Sequence, residues 1–113
     1  MHELSITRSI VAIVCERAQG QQVLGVTLEV GRLSGMFAEA IRFCFDICCQ
    51  GTAIEGARLC IVEVDGRGLC SACGAQPLMT MPLGRCPVCA QPSLRIVAGT
   101  ELKIKDMEVQ TCV

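Results

Sequence analysis

Four cysteines in two pairs carry the clearest chemistry in the sequence: Cys70-x-x-Cys73, twelve intervening residues, then Cys86-x-x-Cys89. Two residues between thiols let a tight turn aim both sulfurs at one ion, and two such turns complete a tetrahedron. Gly74 follows the first pair and Pro87 sits inside the second, both compatible with tight turns. Thiolate donors in this number and spacing select zinc, and a closed four-sulfur site leaves no coordination position for a substrate. The predicted role of the metal is therefore structural. A redox role for either pair is the rival. A thioredoxin-like site would want one such pair where a strand enters a helix, whereas these lie in proline-rich loop.

The second feature is His2, the sole histidine, beside Glu3 and ahead of an apolar-periodic segment. An ordinary exposed residue is the commoner role for a terminal histidine. Its ring and the adjacent main-chain nitrogens nevertheless form small chelate rings, and nitrogen-rich, near-planar donor sets suit Ni(II) or Cu(II). Glu3 adds an oxygen donor, or favours the start of the helix through its dipole.

The elements that position these residues follow from periodicity. Residues 4–19 place Ile6, Ile10 and Val14 beside Thr7, Val11 and Ala18, a helical spacing with Ser5 as N-cap and Gly20 past the end. Val26, Leu28 and Val30 alternate with Thr27 and Glu29 in a strand ending at Gly31. Residues 36–50 return to helical spacing, with Ile41, Cys44, Phe45 and Cys48 on the predicted inner stripe and Cys49 pointing elsewhere. Residues 58–64 and 102–109 read as strands, the latter with a phase break near Asp106. Strand, helix and strand over so short a span predict a parallel crossover.

Between Asp65 and Gly99 lie all four prolines and no acidic residue, in sequence with little periodicity. We expect loop there. The predicted fold is α+β: a small mixed three-stranded sheet covered by two helices, with an inserted four-cysteine zinc lobe. Residues 1–65 and 100–113 would form one domain and 66–99 the zinc-binding one. The lobe holds too few apolar residues to fold alone, so metal binding would drive its folding.

Composition narrows the function. With three Phe, no Trp, no Tyr and a net charge of −1, the chain lacks the aromatic platforms and the basic footprint of a nucleic-acid binder. The start Met-His-Glu-Leu has no basic n-region, and no apolar run is long enough to span a bilayer. A cytoplasmic protein with reduced thiols is expected, so disulfides are not.

Met1-His2-Glu3-Leu4-Ser5, Val30-Gly31-Arg32-Leu33-Ser34, Phe43-Cys44-Phe45-Asp46 and the two cysteine pairs together resemble the HypA/HybF hydrogenase nickel-incorporation proteins over essentially the whole chain. The resemblance implies a metallochaperone without chemical turnover. It would take up Ni(II) through the His2 ring and backbone nitrogen and through Glu3, and hold zinc at Cys70, Cys73, Cys86 and Cys89. Nickel would pass into the large subunit of [NiFe] hydrogenase together with the GTPase HypB, from a monomer or a homodimer. Some relatives use an acidic side chain near the start of the second helix. Phe37 aligns there, and Glu39 is the nearest substitute as a nickel donor. The alternative function is a zinc-ribbon protein-interaction adaptor without nickel delivery, which leaves the Met-His-Glu start unexplained.

Overall fold

The computed structural model describes residues 3–110. Helix α1 spans Glu3–Ala18 and buries Thr7, Ile10, Val11, Val14 and Ala18, the stripe that a 3.6-residue period requires. The helix begins before Ser5, so Ser5 is not its cap; its carbonyl instead accepts the Ser9 hydroxyl at 3.2 Å. Gln19 (φ 52°) and Gly20 (φ 84°) end the helix in left-handed conformation, and the Gln21 amide donates to the Ala18 carbonyl.

Strand β1 (Val23–Gly31) starts three residues earlier than its alternation indicated. Helix α2 is Ala38–Cys49, followed by β2 (Arg58–Val64). The last strand, β6 (Leu102–Val109), returns to β1, giving the sheet order β2-β1-β6. Gly25 lies opposite the Arg58 carbonyl and the Arg32 amide donates to Val64 O, so β1 and β2 run parallel. Gly31 N donates to Glu101 O and Gln110 N to Gln22 O, so β1 and β6 run antiparallel. The sheet is mixed, as expected. In β6, Lys105 and Asp106 are both exposed where strict alternation would bury one, which is the phase break read from the sequence.

The chain divides into two compact units. The first comprises Met1–Leu28, Met36–Val62 and Lys103–Val113. Here α1 packs on α2 over a core that includes Val14, Val26, Leu28, Ile41, Phe45 and Ile54. The inner stripe of α2 is Ile41, Phe45 and Cys49, each four residues on from the last. Cys49 is buried and Cys44 and Cys48 only half-buried, the reverse of the expected order. A strict four-residue step carries the inner face past Cys48 to Cys49 by the last turn.

The second unit comprises Glu29–Gly35 and Glu63–Leu102. It contains an antiparallel sheet that the sequence reading rendered as loop: β3 (Gly66–Cys70), β4 (Leu78–Met79) and β5 (Leu94–Ala98), in the order β4-β3-β5. The inward positions of β3 are Gly66, Gly68 and Cys70, which hydropathy does not register. A β-carbon at Gly68 would sit 2.5 Å from the Met79 sulfur, and one at Gly66 2.6 Å from Leu33 Cδ1. Glycine is what lets these strands close up. Arg32 bridges Glu63 at 3.0 Å and Asp65 at 2.8 Å, beside the close backbone approach of Gly31 to Gly99.

Candidate metal centre

Each cysteine pair sits in the same turn. The Gly74 amide donates to the Cys70 carbonyl and the Cys70 amide to the Ala75 carbonyl; Ala90 to Cys86 and Cys86 to Gln91 repeat the pattern, at 2.8–3.0 Å throughout. The residue after the second cysteine of each pair is left-handed, Gly74 at φ 77° and Ala90 at φ 62°. The second turn thus places a β-carbon where the first has none, at a cost of about 1–2 kcal/mol.

The turns bring the Cys70, Cys73, Cys86 and Cys89 sulfurs within 4.8 Å of one another. Cys70–Cys89 and Cys73–Cys86 are each 3.6 Å apart. A tetrahedral zinc with sulfur ligands at about 2.3 Å separates them by about 3.8 Å, so the donor set fits that ion without rearrangement. All four cysteines are free, and the sulfur spacing is well beyond a disulfide bond of about 2.05 Å. Cys70 and Cys86 are buried, Cys89 is half-buried and Cys73 exposed.

Local donors prepare these sulfurs unequally. The Ser93 hydroxyl, 3.3 Å from Cys70 Sγ, is the largest influence lowering that thiol to about 6, helped by the backbone amides of Cys73 and Ala72. At Cys73 the Ala75 amide favours the thiolate, but desolvation and hydrogen bonds shared with Cys70, Cys86 and Cys89 outweigh it and push the thiol up to about 12. Cys89 is also raised: the Gln91 amide favours its thiolate, and desolvation with the bonds to Cys70 and Cys86 opposes. Clustered sulfurs cannot all ionise unaided; a dication is what makes four thiolates stable together.

Ser93 and Ala90 escaped the sequence reading. Ala90 was recoverable by laying the second pair on the first, which puts it on Gly74; Ser93 carries no spacing signal at all.

His2 lies outside the described residues. Glu3 opens α1, half-buried, with its carbonyl accepting the Thr7 hydroxyl at 2.6 Å. Phe37 caps α2 without a side-chain hydrogen bond, and Glu39 is exposed in the first turn. Among the described residues the four cysteines form the one group of three or more metal-ligating side chains; neither Glu3 nor Glu39 belongs to such a group. No helix among them is long and apolar enough to cross a membrane.

Comparison with known proteins identifies a family and a fold. A family model described as hydrogenase/urease nickel incorporation, metallochaperone, hypA matches residues 1–109. The hydrogenase maturation factor HypA of Rippkaea orientalis is 54% identical over 110 residues, covering 97% of this chain and 96% of its own. That of Geobacter metallireducens is 47% identical, covering 97% and 100%. The solution structure of the Ni metallochaperone HypA from Helicobacter pylori matches with a TM-score of 0.69 at 23% identity, over 96% of this chain and 97% of that one, a likeness of fold.

Proposed function

Since the chain belongs to the HypA family of hydrogenase and urease nickel-incorporation metallochaperones, we propose that it binds Ni(II) at its N-terminus and assists nickel insertion into [NiFe] hydrogenase. The observation that carries the reading is the family match from residue 1 to residue 109, which takes in both the Met-His-Glu start and the cysteine pairs.

Nickel is cargo in this scheme. The His2 imidazole and backbone nitrogen and a Glu3 donor hold it, with Glu39 as a further oxygen donor. Binding requires a neutral imidazole, so affinity falls as acidity rises through the ordinary histidine range. Release is ligand exchange within a docked complex, without bond-making in the polypeptide, so the protein acts as a carrier and not as an enzyme. The partners on this reading are the hydrogenase large subunit and the GTPase HypB, and the compartment is the cytoplasm. The oligomeric state is a monomer or a homodimer.

Cys70, Cys73, Cys86 and Cys89 hold zinc. The bound zinc supplies charge compensation for four thiolates and ties the two turns together. In this scheme residues 1–65 and 100–113 serve nickel and 66–99 serve zinc; the compact units differ in placing residues 29–35, 63–65 and 100–102 with the cysteine pairs.

The test is transfer. Nickel-loaded protein incubated with a nickel-free hydrogenase large-subunit precursor should yield nickel in the precursor, and His2→Ala protein should not. Equal delivery by free Ni(II) and by the loaded protein would refute the proposal.

A further inference from the structure

The cysteine-bearing unit exposes apolar side chains that its sheet does not use. Leu83 is 83% exposed, Met81 63% and Leu78 60%. They surround a surface groove of about 260 Å³ floored by Met79 and Leu94 and bordered by Arg85. That volume takes one or two aliphatic side chains. Beside it, β4 is an edge strand of two residues, paired to β3 and to no strand on its other side among the described residues. An unpaired edge next to an apolar groove is the arrangement that accepts an extended peptide.

Charge selects among possible peptides. Residues 66–99 contain Arg67, Arg85 and Arg95 and not one acid. Arg85 lines the groove, and Arg67 is the cross-strand partner of Leu78 at its edge. Arg67 donates to the Gln76 carbonyl and Arg85 to the Ala90 carbonyl, and none of the three meets a carboxylate among the described residues. The nearby acids are already engaged, Glu63 and Asp65 by Arg32, and Glu101 by the Gly99 amide. With a dication bound, four sulfurs and Zn²⁺ carry −2 against the three guanidinium groups, which leaves residues 66–99 at a net +1.

We propose that the groove between Leu78, Met81, Leu83 and Arg85 docks a short, extended, acidic segment of a partner protein, anchored by one or two aliphatic side chains. Neither Glu3 nor Glu39 lines the groove, so recognition there does not call on those proposed nickel donors.

The test is selection of a random twelve-residue peptide phage library on the immobilised zinc-loaded full chain. Enriched peptides should carry a net negative charge and a Leu, Met or Ile anchor. Their affinity should fall about tenfold or more on Leu83→Asp or Met81→Asp bait, both largely exposed sites, with unchanged zinc content as the check on folding. On His2→Ala bait affinity should be unchanged, which separates this surface from the nickel reading. Enrichment of neutral or basic peptides, no enrichment, or retention on both Asp variants would overturn the proposal. So would sedimentation of the chain with phosphatidylserine vesicles, or self-association in the ultracentrifuge, that either Asp variant abolishes.

Discussion

The two units solve the same stability problem with different materials. In the first, two helices close over a sheet and bury Phe45, Leu28, Ile41, Ile54 and Val14 almost completely. In the second, the inward positions of β3 are glycine, glycine and cysteine, and the buried side chains between residues 63 and 102 are Cys70, Met79 and Cys86. Burial of apolar area grows with side-chain size, so the second unit cannot draw comparable hydrophobic stabilisation from its sheet. On the proposed reading, an ion held by the four sulfurs supplies what the missing side chains do not. The lesson is that a four-sulfur site can stand beside a sheet whose central strand, β3, turns glycine rather than valine inward.

Removing the metal should break the comparison most severely. Chelation of zinc, or Cys73→Ala, should cost the second unit on the order of 10 kcal/mol of metal-coupled folding and abolish its β-signals in hydrogen exchange. The α1–α2 unit should keep its protection. Simultaneous loss of both would show that the units do not differ in this way.

Cutting into the apolar core should do the opposite. Phe45→Ala removes a fully buried ring and should destabilise the helical unit by about 3–5 kcal/mol in urea unfolding while zinc stoichiometry stays at one per chain.

Two smaller effects sharpen the picture. Ala90→Gly relieves the left-handed alanine in the second cysteine turn and should raise the stability of the zinc-loaded unit by about 1 kcal/mol. The matching change at Gly74, Gly74→Ala, should lower it by a similar amount. The last concerns Cys49, which burial, together with the charges of Cys15, Cys48, Asp46 and Glu55, pushes up to about 12 from 9.0. The unfolded chain releases this proton first, so the stabilisation is complete below pH 9 and drains away as pH climbs toward 12. Urea midpoints should therefore fall less between about pH 7 and about pH 10 in Cys49→Ala than in the unaltered chain.

Much of the helices and of the β2-β1-β6 sheet was legible because their signals are ordinary. Val26, Leu28 and Val30 announce a strand, and the bounds of β2 and β6 coincide with their alternating runs. The inner face of α2 was misjudged by one residue because Cys48 and Cys49 are chemically identical neighbours, and only the turn-by-turn step chooses between them. The strands β3, β4 and β5 were invisible for a different reason. Where Gly66 and Gly68 face inward, there is no side chain for a hydropathy pattern to detect, and Pro77 and Pro82 on either side of β4 read as loop. The sulfur cluster itself was fully legible, since its spacing encodes the turn. Its helper Ser93 was not, because a hydroxyl brought in from β5's threshold depends on the sheet that the pattern concealed.

The central claim is that one imidazole holds a transferable ion while four sulfurs hold another independently. Calorimetric titration of zinc-loaded, tag-free protein with Ni(II) at neutral pH tests it, run in parallel on His2→Ala with zinc measured before and after. The account predicts saturable nickel uptake by the unaltered chain, none by His2→Ala, and the same zinc content in both. Undiminished nickel uptake by His2→Ala, or zinc displaced as nickel binds, would contradict it.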